Sequence, residues 1–266
     1  MPGRTTLHID PAFRDLLAGA NLADFDALLA AGDADTLAKA SLPPWRRRAR
    51  LQLGDTALFI KTYHRPPRAE QLRARLRGHR ALAAVEWHWA HRLRELGIAA
   101  PQPVALGVRR QGTAEIASLL VTAAVQGESL QAWLARRGRI DRPTRLVVTR
   151  ELARLVGRLH GAGLFHRDLY LSHIFLGPGG ELTLLDLHRI RHARVLTLRW
   201  RVKDLAALHH STPAPAVGRA DRLRFFKLYR GRDRLTRADR LLLRLVLAKA
   251  RRIARHSRKR GLEPVD

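Results

Sequence analysis

The segment His166-Arg167-Asp168-Leu169-Tyr170-Leu171-Ser172-His173 precedes a second segment, Leu182-Thr183-Leu184-Leu185-Asp186. Between them, Ile174 to Leu176 is typical of a short strand, and the Gly-Pro-Gly-Gly run from Gly177 to Gly180 is typical of a turn. The pattern predicts a β-hairpin, which would bring both aspartates to one end of the same small sheet.

An H-R-D sequence followed by an apolar strand that ends in Asp is typical of protein-kinase-like phosphotransferases. There, one carboxylate takes or orients the proton of the attacking hydroxyl, and the other holds Mg²⁺ on the phosphates of ATP. We assign the first role to Asp168 and the second to Asp186. The alternative is an Arg-Asp pair that caps a helix, together with an unrelated buried aspartate. The second aspartate at the expected position favours the catalytic interpretation.

A lysine and a glutamate upstream fit the same interpretation. The apolar run from Ala57 to Lys61 ends in a lysine, which is costly on a buried strand unless it meets an anion. In kinase-like folds this lysine binds the α- and β-phosphates and pairs with a helix glutamate. Glu86, in a predicted helical region over residues 68–96 (one helix or two), is the expected partner. It could instead be a surface acid in an i,i+4 pair, but neither residue 82 nor residue 90 is basic.

The pattern of elements predicts an α+β, two-lobed protein-kinase-like fold. We expect residues 1–40 to form an N-terminal helical extension, residues 41–122 a small N-lobe with an antiparallel sheet, and residues 123–266 a mainly helical C-lobe with a basic C-terminal helix. A glycine-rich phosphate loop is missing, because residues 43–48 contain no G-x-G-x-x-G.

The segment after Asp186 is short for a protein kinase. No A-P-E sequence follows, so a protein substrate is disfavoured. Asp204 is predicted to begin another helix and to accept backbone amides of the catalytic loop. Together with His166, it is expected to support the site structurally.

The charge balance indicates a polyanionic partner. Fifty Lys and Arg against 23 Asp and Glu give a net charge of +27, and there is no cysteine, which excludes disulfides and thiolate metal sites. The first residues lack a signal-peptide pattern, and no stretch reaches the ~18 apolar residues of a membrane span. Residues 236–260 predict a basic amphipathic helix that could lie on anionic lipid, pack on the C-lobe with a solvated face, or do both.

Three runs of sequence resemble the lipopolysaccharide core heptose(I) kinases: His166 to Phe175, Leu185 to Arg189, and Arg199 to Leu205. The resemblance covers about residues 45–260. It implies transfer of the γ-phosphoryl group of ATP to the first heptose of the inner core, at the cytoplasmic face of the inner membrane. It implies Asp168 as base, Asp186 as the main Mg²⁺ ligand, Lys61 as the phosphate-binding residue and Glu86 as its partner.

His173 replaces the metal-binding Asn of most kinases, and imidazole is a poorer Mg²⁺ ligand than an oxygen. His173 is therefore expected to bind the metal, to contact a phosphate or to hydrogen-bond Asp186.

Other functions remain open. Kdo kinases share these motifs, so Kdo is an alternative acceptor. A kinase of other small molecules or of proteins, with the same fold, is a further alternative. The charge alone would suit a nucleic-acid-binding protein, but the few aromatic residues and the dispersed arginines disfavour this. The expected partners are the lipid A–core acceptor, the anionic inner-membrane surface and an acidic protein such as an acyl carrier protein.

Overall fold

The computed structural model describes residues 3–34, 37, 42–137, 140–214 and 216–259. The chain divides into two compact units, Met1–Ala124 and Val125–Asp266. The predicted α+β class is confirmed, because an antiparallel sheet dominates the first unit and helices dominate the second.

The N-terminal unit is built on a five-stranded antiparallel sheet with strand order β1-β4-β5-β3-β2. Its elements are β1 (Arg4–Ile9), α1 (Arg14–Gly19), α2 (Phe25–Asp33), β2 (Arg46–Leu53), β3 (Thr56–His64), α3 (Arg68–Arg75), α4 (Leu82–Glu95), β4 (Pro103–Gln111) and β5 (Ala114–Ala123).

Helix α2 lies close against this sheet, and two glycines permit the approach. A Cβ at Gly32 would lie 2.4 Å from Cγ2 of Thr62, and one at Gly107 would lie 2.6 Å from Cδ2 of Phe25. Phe25 and Leu28 are buried there, in a core that also includes Ile60 of β3. The core therefore fixes β3, the strand that carries Lys61.

The expectation of a helical extension over residues 1–40 is wrong at its beginning. Residues 4–9 form an edge strand that pairs antiparallel with β4, from Arg4 opposite Arg110 to Ile9 opposite Ala105. The run Thr5-Thr6-Leu7-His8-Ile9 is rich in residues that favour strands, and pairing with β4 satisfies its backbone groups. Helices α1 and α2 follow as expected. Residues 35, 36 and 38–41 lie outside the described part of the chain.

The helical region predicted over residues 68–96 forms two helices, α3 and α4. In and just after α3, Leu72 and Leu76 are 55% and 80% exposed. Val85, Trp89 and Leu93 of α4 are buried.

The C-terminal unit is mainly helical and contains two small sheets, one with strand order β6-β8-β9 and one that pairs β7 with β10. Its elements are β6 (Glu128–Ser129), α5 (Leu130–Arg137), α6 (Arg142–Gly161), β7 (Leu164–Phe165), β8 (Ile174–Leu176), β9 (Leu182–Leu184), β10 (Arg191–His192), α7 (Thr197–Ser211), α8 (Arg219–Arg230) and α9 (Arg237–Lys259). Helices α5 to α9 contribute to the lining of a largely apolar cavity of about 970 Å³.

The final helix begins as the sequence predicted. The Thr236 hydroxyl accepts the Asp239 N–H, and the Asp239 carboxylate accepts the Thr236 N–H, which is a reciprocal capping box. Leu242 and Val246 are buried, whereas Leu241 and Leu245 are exposed. Among the helices that the structure describes, none has the length and apolar composition to cross a membrane.

Candidate active site

The β8–β9 hairpin places the two aspartates as the sequence predicted. Ile174 lies opposite Leu184 in the antiparallel register, and the Leu185 N–H donates to the His173 carbonyl at 2.8 Å, which extends the pairing by one step. Asp168 lies in the loop before β8, and Asp186 lies two residues after β9, so both are at this end of the hairpin.

Asp204 holds the loop in place. Its two carboxylate oxygens accept the N–H of His166 at 2.8 Å and that of Arg167 at 2.7 Å. The Asp204 side chain is fully buried, and Arg167 adopts φ 70°, an unusual backbone angle for a residue other than glycine. The expectation that Asp204 begins a helix is wrong, because α7 starts at Thr197 and Asp204 lies in its interior.

Two further side chains, His160 and Tyr229, extend the hydrogen-bonded network from Asp204 into the core. His160 Nε2 lies 3.3 Å from an Asp204 oxygen, and its Nδ1 lies 2.9 Å from the Tyr229 hydroxyl. Burial raises the pKa of Tyr229 to about 12, so its hydroxyl stays protonated. The predicted scaffold residue is thus part of a hydrogen-bonded chain that links α6, α7 and α8 to the loop.

His166 ties the loop to the strand that leads into Asp186. Its Nε2 donates to the Leu185 carbonyl at 2.8 Å, and its side chain lies in the core. Burial is the main cause that lowers the pKa of His166, which favours the neutral ring.

Two cations that the sequence analysis missed lie at Asp168. Arg189 donates to Oδ2 of Asp168, and Lys203 Nζ lies 3.8 Å from Oδ1. Partial burial lowers the pKa of Lys203, an effect that the nearby Asp168 carboxylate opposes. The only available signal was position, since Arg189 comes three residues after Asp186 and Lys203 directly precedes Asp204.

Asp186, His173 and His188 form the second part of the site in this unit. His173 Nδ1 donates to the Asp168 backbone carbonyl at 2.8 Å, while its Nε2 lies 3.7 Å from Oδ2 of Asp186. His188 Nδ1 donates to Oδ1 of Asp186 at 2.8 Å. Asp186 itself adopts φ 58°, a strained angle of the kind that clusters at functional sites.

This donor set is compatible with Mg²⁺. Because Nδ1 of His173 donates to the Asp168 carbonyl, Nε2 is the ring nitrogen available as a ligand, and it faces the Asp186 carboxylate. Mg²⁺ in phosphate-binding sites is commonly held by one or two carboxylates, phosphate oxygens and water. Asp186 supplies such a carboxylate, and His173 supplies a weaker nitrogen donor.

In the N-terminal unit, Lys61 and Glu86 pair as predicted. Lys61 Nζ donates to Oε2 of Glu86 at 2.6 Å, and the Glu86 side chain is only 5% exposed. Lys61 does not end its strand, since β3 continues to His64, and it lies opposite Arg48 and Leu120 in the register. Helix α4 presents Glu86 on its buried face.

The N-terminal unit contains a sheet in which a lysine pairs with a helix glutamate. The C-terminal unit contains an H-R-D loop and an aspartate at the end of a hairpin. Together these features define a protein-kinase-like phosphotransferase. The chain belongs to the lipopolysaccharide kinase (Kdo/WaaP) family, whose sequence model matches residues 45–229.

Curated relatives agree with this family. The chain is 29% identical over 233 residues to the lipopolysaccharide core heptose(I) kinase WaaP of Escherichia coli (strain K12), covering 82% of this chain and 87% of the relative. It is 36% identical over 161 residues to the enzyme of that name from Pseudomonas aeruginosa, covering 55% and 59%. It is 29% identical over 134 residues to the 3-deoxy-D-manno-octulosonic acid kinase of Xylella fastidiosa (strain M12), covering 50% and 51%.

Proposed function

We propose that this protein is an ATP-dependent kinase that phosphorylates the first heptose of the lipopolysaccharide inner core. The observation that carries the proposal is the position of His173. This residue contacts the Asp168 backbone and faces the Asp186 carboxylate, so the two acidic residues of the motif lie in one group. The names of the relatives that match most of the chain support heptose as the acceptor.

In the proposed reaction, a sugar hydroxyl oxygen forms a bond to the γ-phosphorus of ATP. The bond from that phosphorus to the β–γ bridging oxygen breaks, ADP leaves, and the hydroxyl proton passes to the Asp168 carboxylate. Arg189 and Lys203 orient this carboxylate, and Asp204 fixes the loop that carries it. Positioning and electrostatics supply most of the rate enhancement in phosphoryl transfer.

We assign Lys61 to the α- and β-phosphates of ATP, with Glu86 holding its ammonium group. Asp186 is the proposed Mg²⁺ ligand, and His173 is a further donor. When bound, Mg²⁺ would neutralise charge on the phosphates of the nucleotide.

We further assign residues 41–122 and 123–266 as the N-lobe and the C-lobe of the kinase. The segment 1–40, expected to be an extension, adds β1, α1 and α2 to the N-terminal unit. The proposed location is the cytoplasmic face of the inner membrane, where the anionic surface would attract a chain with a net charge of +27.

Phosphorylation of Kdo is the second candidate function. Relatives with that activity in their names match about half of this chain at 28–31% identity. Heptose remains the preferred acceptor because the heptose kinase of Escherichia coli (strain K12) matches 82% of the chain.

Mass spectrometry of purified core acceptor after incubation with the protein, ATP and Mg²⁺ tests the proposal. Heptose-bound phosphate is the expected product. Phosphate on Kdo would support the second candidate, and an unmodified acceptor together with salt-dependent nucleic-acid binding would refute kinase function.

An acidic protein such as an acyl carrier protein is a further proposed partner. The basic surface supplies complementary charge, and the apolar cavity in the C-terminal unit has room for an attached acyl chain. Co-purification of an acidic acyl carrier that high salt releases would support this partner, and full activity of the protein freed from every carrier would show that it is dispensable.

A further inference from the structure

A second pocket of about 650 Å³ lies in the C-terminal unit, between the N-terminal half of α7 and the middle of α9. Its cationic lining residues are Arg167, Arg199, Lys203, Lys249 and Arg252. Among the described residues, no acidic side chain lines it. Two of the segments that line it, residues 196–203 and 245–252, contain no acidic residue. Such a pocket attracts anions.

The pocket adjoins the loop that carries the candidate base. Lys203 lines it and also lies 3.8 Å from the Asp168 carboxylate, while Arg167 lines it and directly precedes Asp168 in the chain. An anion bound among these residues would therefore lie beside the hydroxyl that Asp168 serves.

The ring of Trp200 contacts three arginine guanidinium groups in and beside the pocket. The Arg167, Arg191 and Arg199 groups lie 4.9, 5.7 and 5.1 Å from its ring centroid. Cation–π contacts of this kind limit the freedom of the arginines, and planar guanidinium groups match phosphate and carboxylate geometry.

The rim of the pocket is apolar. Leu196, Leu198 and Leu245 contribute to the lining and are 65%, 50% and 38% exposed. Val195, beside Leu196, is 75% exposed, and Leu196 itself has φ 57°, an uncommon angle for a branched residue. Exposed apolar side chains next to cations are typical of surfaces that meet a lipid interface.

We propose that this basic pocket binds an anionic group, a phosphate or a carboxylate, of a membrane-borne glycolipid acceptor, while its apolar rim contacts the lipid. The inference rests on the proposed function and adds the acceptor subsite to it. It accounts for a basic pocket that adjoins the base and a leucine rim that no described element covers.

The test compares two double variants of the full-length protein with matched controls. Lys249→Gln with Arg252→Gln removes two charges from the pocket, and Arg240→Gln with Arg258→Gln removes two exposed charges of the same helix that do not line it. Leu196→Ser with Leu198→Ser alters the rim, and Leu72→Ser with Leu76→Ser makes the same change at two exposed leucines in and just after α3.

Initial rates are measured on acceptor carried in vesicles and on the same acceptor after complete deacylation. The charge variant should raise the acceptor KM at least about tenfold on both forms, the order expected when two charge-assisted contacts are lost. The rim variant should raise it on the vesicle form alone. The KM for ATP and the melting temperature should stay within about the wild-type range for all four variants, because none of the substituted residues is buried.

Phosphatase-treated acceptor identifies the bound group. If the pocket holds a phosphate, the difference between wild type and the charge variant disappears with this acceptor, and if it holds a carboxylate, the difference persists.

An unchanged acceptor KM in the charge variant, an equal rise in its control, or a rise in the KM for ATP alone would overturn the inference. A wild-type protein that transfers no phosphate to the acceptor would instead refute the proposed function, so the two failures are distinguishable.

Discussion

The Arg189 guanidinium donates directly to the carboxylate of Asp168, the residue assigned as the base. Arg189 lies on a one-turn helix, Leu187–Arg189, that begins directly after Asp186. A displacement of Asp186 therefore moves the group that orients Asp168. Asp186, the proposed metal ligand, is thus coupled to Asp168, the proposed base, through Arg189, three residues further along the chain.

Replacing Arg189 tests this coupling. Arg189→Ala should lower kcat by about 10²-fold with little change in the KM for ATP, because a small misplacement of a catalytic group has an effect of this order. Arg189→Lys should recover part of the loss, since an ammonium group can donate to one carboxylate oxygen. A merely structural role would instead lower the melting temperature of both variants and leave kcat per folded molecule unchanged.

Replacing Asp168 tests the assigned base. Asp168→Asn should reduce phosphoryl transfer by about 10²–10⁴-fold, the usual contribution of general-base catalysis, while the circular dichroism spectrum stays native. Asp233→Asn, a change of the same kind at an exposed position, is the control. Wild-type rates in Asp168→Asn would contradict the assignment.

Replacing Lys61 tests nucleotide binding. Lys61→Ala should raise the KM for ATP and leave the KM for the acceptor nearly unchanged, because the proposed contact is with the phosphates of ATP. It should also lower the free energy of unfolding, by about 1–3 kcal/mol, because the buried Glu86 carboxylate loses the charged hydrogen bond from Lys61. A double-mutant cycle with Glu86→Gln separates the pair energy from the two single effects. Normal ATP turnover in Lys61→Ala would rule out the phosphate contact.

The elements that local sequence patterns encode were predictable. The glycine-rich turn between β8 and β9 and the final helix, which begins with the Thr236–Asp239 capping box, each express short-range preferences. The pairing of Lys61 with Glu86 could be predicted because a known fold supplies the long-range contact.

Contacts that depend on tertiary packing were not predictable. Residues 4–9 form a strand because β4 offers an open edge, which lies about a hundred residues away in sequence. Arg189 and Lys203 are two of the 50 arginines and lysines in the chain, and the sequence does not distinguish them from the others. Only the folded structure brings them to Asp168. The helix containing Asp204 begins at Thr197, earlier than predicted. Apolar and basic side chains alternate from Leu198 to Lys203, and this two-residue period does not indicate a helix.

Replacing Asp204 tests the support of the catalytic loop. An amide has a single acceptor oxygen, so Asp204→Asn can satisfy only one of the two N–H groups of His166 and Arg167 that the carboxylate accepts. The free energy of unfolding should fall by about 1–3 kcal/mol, and amide hydrogen exchange at residues 166 and 167 should accelerate. Unchanged exchange at both amides would show that another group holds the loop.

The pH dependence of stability should carry a signature of Asp239. Hydrogen bonds from the Thr236 backbone and hydroxyl, together with Arg230, lower the pKa of this carboxyl from 3.8 to about 2. A group whose pKa is depressed in the folded state stabilises the fold above its unfolded pKa, and that contribution is lost as the pH falls toward the folded pKa. Asp239→Asn should therefore destabilise the protein at pH 5, and the difference from wild type should shrink as the pH falls from about 4 to about 2. Urea unfolding of both proteins at pH 5 and pH 3 measures this difference, and all other carboxyl groups cancel because the two chains share them. A difference that stays constant between the two pH values would show that the capping box, rather than the ionised carboxylate, is what the substitution removes.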